Sequence, residues 1–370
     1  MTPRTPVVAS APGRAGLLGN PSDMYGGTVI AFAIPRRAYV AIRPAPRLRL
    51  LALDADLDLT VESSDDLRLV AAPSGLAAAR MDQEALAKAR RATYLNVLKA
   101  VVAAQDMRHE QVELRCWSEV PPGAGLSSSS ALLVAALHAT NAWLNRKTPM
   151  HHFSETAREI EFSRMGITCG FQDFYATTFG GLICMDFRDK ENWRGPTVDP
   201  LATVEPLLEP DVELPFVLAH TGRQRDSGET HRPLRSRWVE GDPDVRAAMR
   251  TLGSIARKTK RDVLERNWPA VGRAMNAAHR HISAVGGSGP VVDVLTEKTL
   301  RLGAYGAKLA GAGLGGTIVA LHDDPRWLAR AIVEHGAASA FPVPRAAPGV
   351  RLEPADLLMP SYGPASPAQA

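Results

Sequence analysis

Residues 118–137, SEVPPGAGLSSSSALLVAAL, join a proline- and glycine-rich turn to four serines and an apolar run. Glycines allow a tight turn and close approach to a ligand, and serines are favoured at helix N-termini. The run after Ala131 is typical of a helix, whose start would present free N–H groups and a positive dipole end to an anion. The stretch therefore predicts an anion-binding loop. The alternative is a capped, buried helix that follows a turn.

Two other segments carry candidate polar residues. Residues 11–27, APGRAGLLGNPSDMYGG, lie between two predicted strands, so that Arg14, Asn20 and Asp23 are expected on a loop facing a cleft. Asp173 follows a helix predicted from about His152 to Arg164 and lies between glycine-bearing turns. It is a candidate general base for a substrate hydroxyl. The alternative for each of these residues is a turn residue or a solvated charge.

The remaining chain predicts a mixed fold. Alternation from residue 37 to 70 indicates short antiparallel strands, and helical spacing indicates helices over 82–104 and from about Asp244 to Ala284. Residues 222–242, GRQRDSGETHRPLRSRWVEGD, are predicted to form a charged loop. Its arginines suit solvent exposure or the recognition of a carboxylate or phosphate.

A glycine-rich motif near the C-terminus, KLAGAGLGG, satisfies the dinucleotide fingerprint through Gly311, Gly313 and Gly316. That fingerprint requires a strand before it and a helix after it, whereas a helix is predicted before this motif and a strand after it. We therefore reject a dinucleotide site. The glycines, Gly315 included, are expected to allow another backbone to approach and to support the serine loop.

Length and composition limit the class of protein. A chain of 370 residues predicts two domains, and its net charge of +4 without a dense basic run does not favour nucleic acid. The N-terminus has no signal-peptide pattern, and the longest apolar run is too short to cross a membrane. Three cysteines without a CxxC pair indicate reduced thiols, so a cytoplasmic protein is expected.

Three motifs taken together, APGRAGLLGNPSDMYGG, PPGAGLSSSSA and KLAGAGLGG, resemble in order those of the GHMP small-molecule kinases. Within that superfamily the chain is most similar to the glucuronokinases, through GLLGNPSDMY, GFQD with FGGLICMDF, and SGETHRPLRSRWVEGD. Asn20-Pro21 replaces the usual Glu-His pair of galactokinases. The resemblance implies an α+β fold with an N-terminal domain like ribosomal protein S5 domain 2 (residues 1–195) and a C-terminal α/β domain (196–350). An irregular tail is expected over 351–370.

The resemblance also implies cofactors and roles. ATP and Mg²⁺ are the expected cofactors, with Asp173 as catalytic base and Arg14 beside it. Glu161 and Ser130, favoured over Ser129, are the implied Mg²⁺ ligands. The implied ATP phosphate loop comprises Pro122, Gly123, Ala124, Gly125, Leu126, Ser127, Ser128, Ser129 and Ser130. The implied substrate contacts are Asn20, Asp23, Tyr25, His231, Arg235 and Arg237.

The activity implied is phosphorylation of the anomeric hydroxyl of a sugar acid, glucuronate foremost, by a monomer or homodimer. Two alternatives stay open: a kinase for another hexose or heptose, and a non-catalytic sugar sensor on the same fold. A P-loop NTPase is disfavoured because the serine loop lacks the GK[ST] ending.

Overall fold

The computed structural model describes residues 5–70, 81–82, 85, 89, 92–190, 200–223, 227–311, 313 and 315–358, with the side chains of 227–232 and 358 left aside. Within that part the strands form a sheet of eight and a sheet of four. In chain order the strands are β1 (Val7–Leu18), β2 (Thr28–Pro44), β3 (Arg49–Ala52), β4 (Leu57–Thr60), β5 (Val112–Ser118), β6 (Leu182–Asp186), β7 (Thr203–Pro206), β8 (Phe216–His220), β9 (Gly306–Leu309), β10 (Thr317–Leu321), β11 (Ser339–Val343) and β12 (Arg351–Glu353).

The larger sheet is built on β2. Its order is β12-β1-β2-β5-β3-β4, with β6 pairing β2 and β7 pairing β6. Strand β2 is long enough, at 17 residues, to pair with β5 at its C-terminal end and with β6 at its N-terminal end. The β3–β5 pair is parallel and the other pairs are antiparallel. The smaller sheet has the antiparallel order β11-β8-β10-β9.

Helices cover both sheets. They are α1 (Tyr94–Ala104), α2 (Ser128–Trp143), α3 (Met150–Glu159), α4 (Gln172–Phe179), α5 (Ser227–Val239), α6 (Pro243–Leu264), α7 (Trp268–Ala284), α8 (Pro290–Arg301) and α9 (Pro325–Glu334). Helix α2 is apolar around nearly its whole circumference and packs on β1 and β2, as expected of a helix inside a core. None of the described helices has the length and apolar character that a membrane crossing requires.

The two sheets share one apolar core. Phe32 and Leu17 of the larger sheet are buried in the same cluster as Phe216 of the smaller sheet and Met249 of α6. The rings of Phe32 and Phe216 lie 4.7 Å apart. Each such side chain contributes roughly 1.5–3 kcal/mol on burial, so this shared core joins the two domains. The serine loop lies at the same junction.

The predicted two-domain α+β organisation is confirmed, and two details differ. Residues 222–242 do not form only a loop, since helix α5 occupies 13 of them. The tail is not irregular throughout, because β12 pairs with β1, although residues 359–370 lie outside the described part. The expected domain boundary also falls outside it, within 191–199, and β7 beyond that point still belongs to the larger sheet. Part of the helix predicted over 82–104 is likewise not described.

Candidate active site

Arg14 and Asp173, 159 positions apart in the chain, form an ion pair. The Nε and Nη2 atoms of Arg14 lie 2.7 and 2.6 Å from Oδ1 of Asp173. The arginine side chain is only 5% exposed, whereas the Asp173 side chain is 26% exposed and open to a ligand. Nη1 of Arg14 also donates to the carbonyl oxygen of Gly125 at 2.9 Å. Arg14 therefore connects the candidate base to the serine loop.

A bulge in the β1–β2 ladder orients Arg14. The pairing register shifts between Pro12 and Arg14, and bulges of this kind redirect side chains at many active sites. A Cβ atom on the intervening Gly13 would lie 2.7 Å from the carbonyl oxygen of Leu126. The absence of a side chain at Gly13 lets the backbone N–H of Arg14 donate to that oxygen at 3.1 Å. The segment predicted as a loop is thus a bulged strand on which the serine loop rests.

Asp23 supports the helix that carries Asp173. Its Oδ2 accepts hydrogen bonds from the backbone N–H groups of Phe171 at 2.8 Å and Gln172 at 3.1 Å, where α4 begins. Its Oδ1 accepts from Nε2 of Gln172 at 3.1 Å. Burial is the main cause that raises the pKa of Asp23 to about 6, and the nearby charge of Asp173 acts in the same direction. The carboxylate is 1% exposed, so its role is to cap α4, in contrast to the predicted contact with substrate.

Asn20 is also buried rather than open to a ligand. It is 1% exposed, and its Nδ2 donates to the carbonyl oxygen of Gly311 at 3.0 Å. Its Oδ1 accepts from Nζ of Lys308 at 2.6 Å, and the same Nζ donates to the carbonyl oxygen of Gly16 at 3.3 Å. Burial, together with the positive charge of Arg14, lowers the pKa of Lys308 to about 7. Lys308 was not selected from the sequence, although it is the first residue of the KLAGAGLGG motif.

The glycine motif itself sits between two strands. It follows β9 and leads into β10, so the helix expected immediately before it is replaced by a strand. The rejection of a dinucleotide site stands, because no helix follows the motif. A Cβ atom on Gly313, whose φ is +105°, would lie 1.7 Å from the carbonyl oxygen of Gly287. Thr317 just beyond the motif donates its hydroxyl to the carbonyl oxygen of Ala124 at 2.8 Å. The motif region therefore does contact the serine loop.

The serine loop turns tightly into α2. Gly123 and Gly125 have positive φ angles of 71° and 79°, and Ser127 is the N-cap residue at φ 62°. The hydroxyl of Ser128 donates to the carbonyl oxygen of Val120 at 3.0 Å and thereby fixes the turn. In the described part of the chain, the buried hydroxyl of Ser127 has no hydrogen-bond partner. Such an atom is available to a bound phosphate.

Ser129, Ser130 and Glu161 bring oxygen atoms together beside the loop. The hydroxyl of Ser129 donates to Oε1 of Glu161 at 2.8 Å, and that of Ser130 lies 3.5 Å from Oε2. Glu161 lies in a π-helical turn, Ile160–Arg164, a deviation from the α-helix that occurs often at functional sites. Burial raises the pKa of Glu161 to about 7.

These oxygen atoms fit Mg²⁺. The ion prefers oxygen ligands and takes one or two carboxylates from the protein, with substrate phosphates and water completing its shell. Over the described residues, no group of three or more His, Cys, Asp or Glu side chains could hold a metal by itself. The single carboxylate of Glu161 and the hydroxyls beside it are therefore suited to a metal that arrives with a nucleotide.

The two arginines predicted to bind substrate have different surroundings. Arg237 donates through Nε to Oδ2 of Asp242 and through Nη1 to the carbonyl oxygen of Val285, both at 2.8 Å. It holds α5 to its neighbours, which is the alternative to substrate binding. Arg235 instead lies over the ring of Phe162 at 5.6 Å. Its charge also acts on the half-buried Tyr25, whose pKa is raised chiefly by burial.

The ring of Tyr25 packs on Trp238 of α5 at 4.6 Å, so this residue joins the candidate site to that helix. The side chain of His231 lies outside the described part.

A loop suited to anions, an arginine–carboxylate pair and oxygen atoms that fit Mg²⁺ therefore lie near one another in this structure. Comparison with known proteins supplies the family. Three family models match the chain. The model "GHMP kinases N terminal domain" matches residues 93–181, "GHMP kinases C terminal" matches residues 259–338, and "Galactokinase galactose-binding signature" matches residues 2–44. The chain belongs to the GHMP kinase superfamily and is a kinase, an ATP-dependent phosphotransferase.

Individual relatives cover much of the chain. The mevalonate kinase of Thermococcus onnurineus is 29% identical over 85% of this chain and 89% of its own length. The D-glycero-alpha-D-manno-heptose 7-phosphate kinase of Campylobacter jejuni is 28% identical over 55% of this chain and 59% of its own. The structure of Lactococcus lactis galactokinase complexed with galactose has a TM-score of 0.69, with 18% identity over 94% of this chain and 95% of that one. This similarity to galactokinase shows that the two chains share a fold.

Proposed function

We propose that this kinase transfers the γ-phosphoryl group of ATP to a hydroxyl of a small, negatively charged sugar or hydroxy acid, most specifically glucuronate at its anomeric hydroxyl. The observation that carries the proposal is the Arg14–Asp173 pair, joined to the serine loop through the carbonyl oxygen of Gly125. Phosphoryl transfer depends mainly on positioning and on charge neutralisation, and an arginine held against a carboxylate supports both tasks.

Each group has a defined task. The N–H groups at the start of α2 and the hydroxyl of Ser127 hold the nucleotide phosphates. Glu161 with Ser130 or Ser129 would hold Mg²⁺, which offsets phosphate charge when bound. Asp173 accepts the proton of the attacking hydroxyl, and Arg14 stabilises the charge on the transferred group while fixing the carboxylate.

Arg235 is the candidate partner for the negative charge of the substrate. Among the described residues it forms no ion pair with an acid, whereas Arg237 is paired with Asp242. An arginine can bind a carboxylate or a phosphate through two parallel hydrogen bonds. Two relatives are named for the substrates mevalonate and a heptose 7-phosphate. Like glucuronate, both compounds carry an anionic group and a hydroxyl. That shared chemistry supports an anionic acceptor and leaves its identity to experiment.

A second candidate is a kinase for another acceptor, a heptose or hexose or mevalonate. The galactose-binding signature over 2–44 and the extensive match to mevalonate kinases favour including these substrates. A non-catalytic sensor is less consistent with the sequence, since a binder would need neither Arg14 nor Asp173 and both are present and paired.

An ATP-consumption assay with glucuronate, glucose, galactose, heptose phosphate and mevalonate tests the proposal. Activity is expected on anionic acceptors, with glucuronate preferred over glucose. Arg235→Ala should lower kcat/KM for glucuronate by about 10- to 150-fold, the value of one charge-assisted contact, with little change for glucose. Arg237→Ala is the matched control and should affect both sugars equally. No preference for glucuronate over glucose would refute glucuronate as the substrate. No activity on any of these acceptors would refute the proposed kinase activity.

A further inference from the structure

A cavity of about 310 Å³ lies between the two sheets and is lined in part by the serine loop. The larger sheet and the loop contribute Arg36, Glu119 and Pro122, and the smaller sheet contributes His220, Thr317 and Phe341. Arg14, Asp173 and Glu161 do not line it. Small-molecule sites occur preferentially at domain junctions and begin at about this size. Pro122, Ala124 and Leu126 of the serine loop do line it, but the groups given a catalytic or metal-binding task in the proposed reaction do not.

His220 lines this cavity and carries a hydrogen-bond donor that the protein does not use. Its Nδ1 accepts from the backbone N–H of Gly222 at 3.1 Å. A neutral imidazole with one nitrogen accepting carries its proton on the other, so Nε2 is a donor. Burial lowers the pKa of His220 and so favours this neutral form. Within the described residues, Nε2 is buried and has no hydrogen-bond partner. Buried donors without a partner are uncommon, and such an atom is able to bond to a water molecule or a ligand.

Arg36 supplies a positive charge to the same space. Its guanidinium lies 4.5 Å from the centroid of the Phe341 ring. Across the described part of the chain, it has no ion pair with an acidic side chain, whereas the adjacent Arg37 lies 3.9 Å from Glu353 and donates to carbonyl oxygens. A half-buried guanidinium held on an aromatic ring is pre-organised to receive an anion.

Glu119 adds an acceptor. Its Oε2 accepts from the backbone N–H of Arg37 at 3.1 Å, which fixes the carboxylate in place, and Oε1 remains able to accept another hydrogen bond. A simple anion would be repelled by this carboxylate. A ligand that also carries hydroxyl groups would satisfy it.

We propose that the cavity binds a small, hydroxyl-bearing anion whose carboxylate or phosphate oxygens contact Arg36 and His220 while a hydroxyl donates to Glu119. Both a hydroxy acid and a phosphate ester have this chemistry. The binding itself does not depend on the proposed substrate of the kinase.

The ligand acts on the kinase through the serine loop. Thr317, in the wall of the cavity, donates to the carbonyl oxygen of Ala124, and the next carbonyl, of Gly125, accepts from Arg14. A ligand that shifts Thr317 or Pro122 therefore changes the loop that holds ATP. By linkage, the ligand and ATP must alter each other's affinity by the same factor.

Calorimetric titration of the full chain tests the site with glucose 6-phosphate, gluconate and glucose as probes. One or both anions should bind and identify the preferred anionic group, and neutral glucose should bind at least tenfold more weakly. Arg36→Met and His220→Phe should each weaken anion binding about tenfold or more, the value of one charge-assisted hydrogen bond. Arg330→Met, on the exposed face of α9, is the matched control and should bind as the parent does. Asp173→Asn should also retain binding.

Several results would overturn the proposal. Absence of binding by both anions would do so, as would parent-like binding by Arg36→Met and His220→Phe together. Strict competition between the anion and ATP would assign the cavity to the nucleotide site instead. Loss of binding in Asp173→Asn alone would assign it to the acceptor site. Thermal unfolding of each variant identifies misfolding, and Arg36→Met, which keeps the aliphatic stem, decides if His220→Phe does not fold.

Discussion

Replacing Asp173 with asparagine removes the proposed base while preserving the shape of the site. The amide oxygen can still accept from Arg14, at the position where Oδ1 now lies 2.7 Å from Nε. The negative charge and the capacity to take a proton are lost. Loss of general-base catalysis costs about 10²- to 10⁴-fold, which corresponds to about 3–5 kcal/mol of activation free energy. We expect kcat to fall by that order.

The assay follows ADP release at saturating ATP and acceptor, alongside ATP affinity by calorimetry and thermal unfolding. ATP affinity and the unfolding temperature should change little in Asp173→Asn, since the loop and the Arg14 contact remain. Asp173→Ala should in addition lower the unfolding free energy by about 1–3 kcal/mol, because it leaves the 5% exposed Arg14 without its carboxylate partner. Asp211→Asn, at an exposed position, is the matched control. Parent-like kcat in Asp173→Asn would refute the assignment and leave Asp173 as a structural residue.

Three further predictions concern the frame around this pair. Gly13→Ala places a methyl group 2.7 Å from the Leu126 carbonyl oxygen and should raise the KM for ATP, whereas an unchanged KM would show that the loop does not depend on this contact. Arg237→Ala should lower the unfolding free energy by about 0.5–1 kcal/mol in denaturant titration, since its partner Asp242 is partly exposed, and no loss would leave α5 held by other contacts. The folded-state pKa of Lys308 lies below its unfolded value, so its contribution to stability grows as pH rises from about 7 toward 10.5 and is lost as pH falls through that window. Lys308→Met should remove this rise in denaturant titrations between pH 7 and 10, and parallel profiles of the parent and the variant would contradict it.

Local sequence patterns predicted the secondary-structure elements that are determined by residues adjacent in the sequence. The order of strand β5, serine loop and helix α2 follows from glycines, serines and an apolar run that are continuous in sequence. Helix α5 was predicted as a loop because its arginines and Pro233 hide any amphipathic period, and its position depends on contacts such as that of Arg237 with the Val285 carbonyl. β12 escaped prediction because an edge strand of three residues is defined by its partner β1.

In the candidate site, too, contacts between residues distant in the sequence could not be predicted. Residue patterns selected Arg14 and Asp173, and motif resemblance added Glu161 with Ser129 or Ser130. The structure pairs Arg14 with Asp173 and both serines with Glu161. The sequence alone could not distinguish polar residues that face a ligand from those that form hydrogen bonds within the protein. Asp23 bonds to N–H groups 148 and 149 positions away, a partnership that spacing along one chain does not encode.

Phosphorus NMR of the wild-type protein with ATP, Mg²⁺ and a pool of anionic and neutral acceptors tests the central claim most directly. Transfer to an acceptor hydroxyl predicts conversion of the ATP signals to those of ADP together with a new phosphomonoester signal. That signal should need an acceptor and be about 10²- to 10⁴-fold slower to form in Asp173→Asn. Unchanged ATP, or ADP accompanied only by inorganic phosphate, would contradict the account.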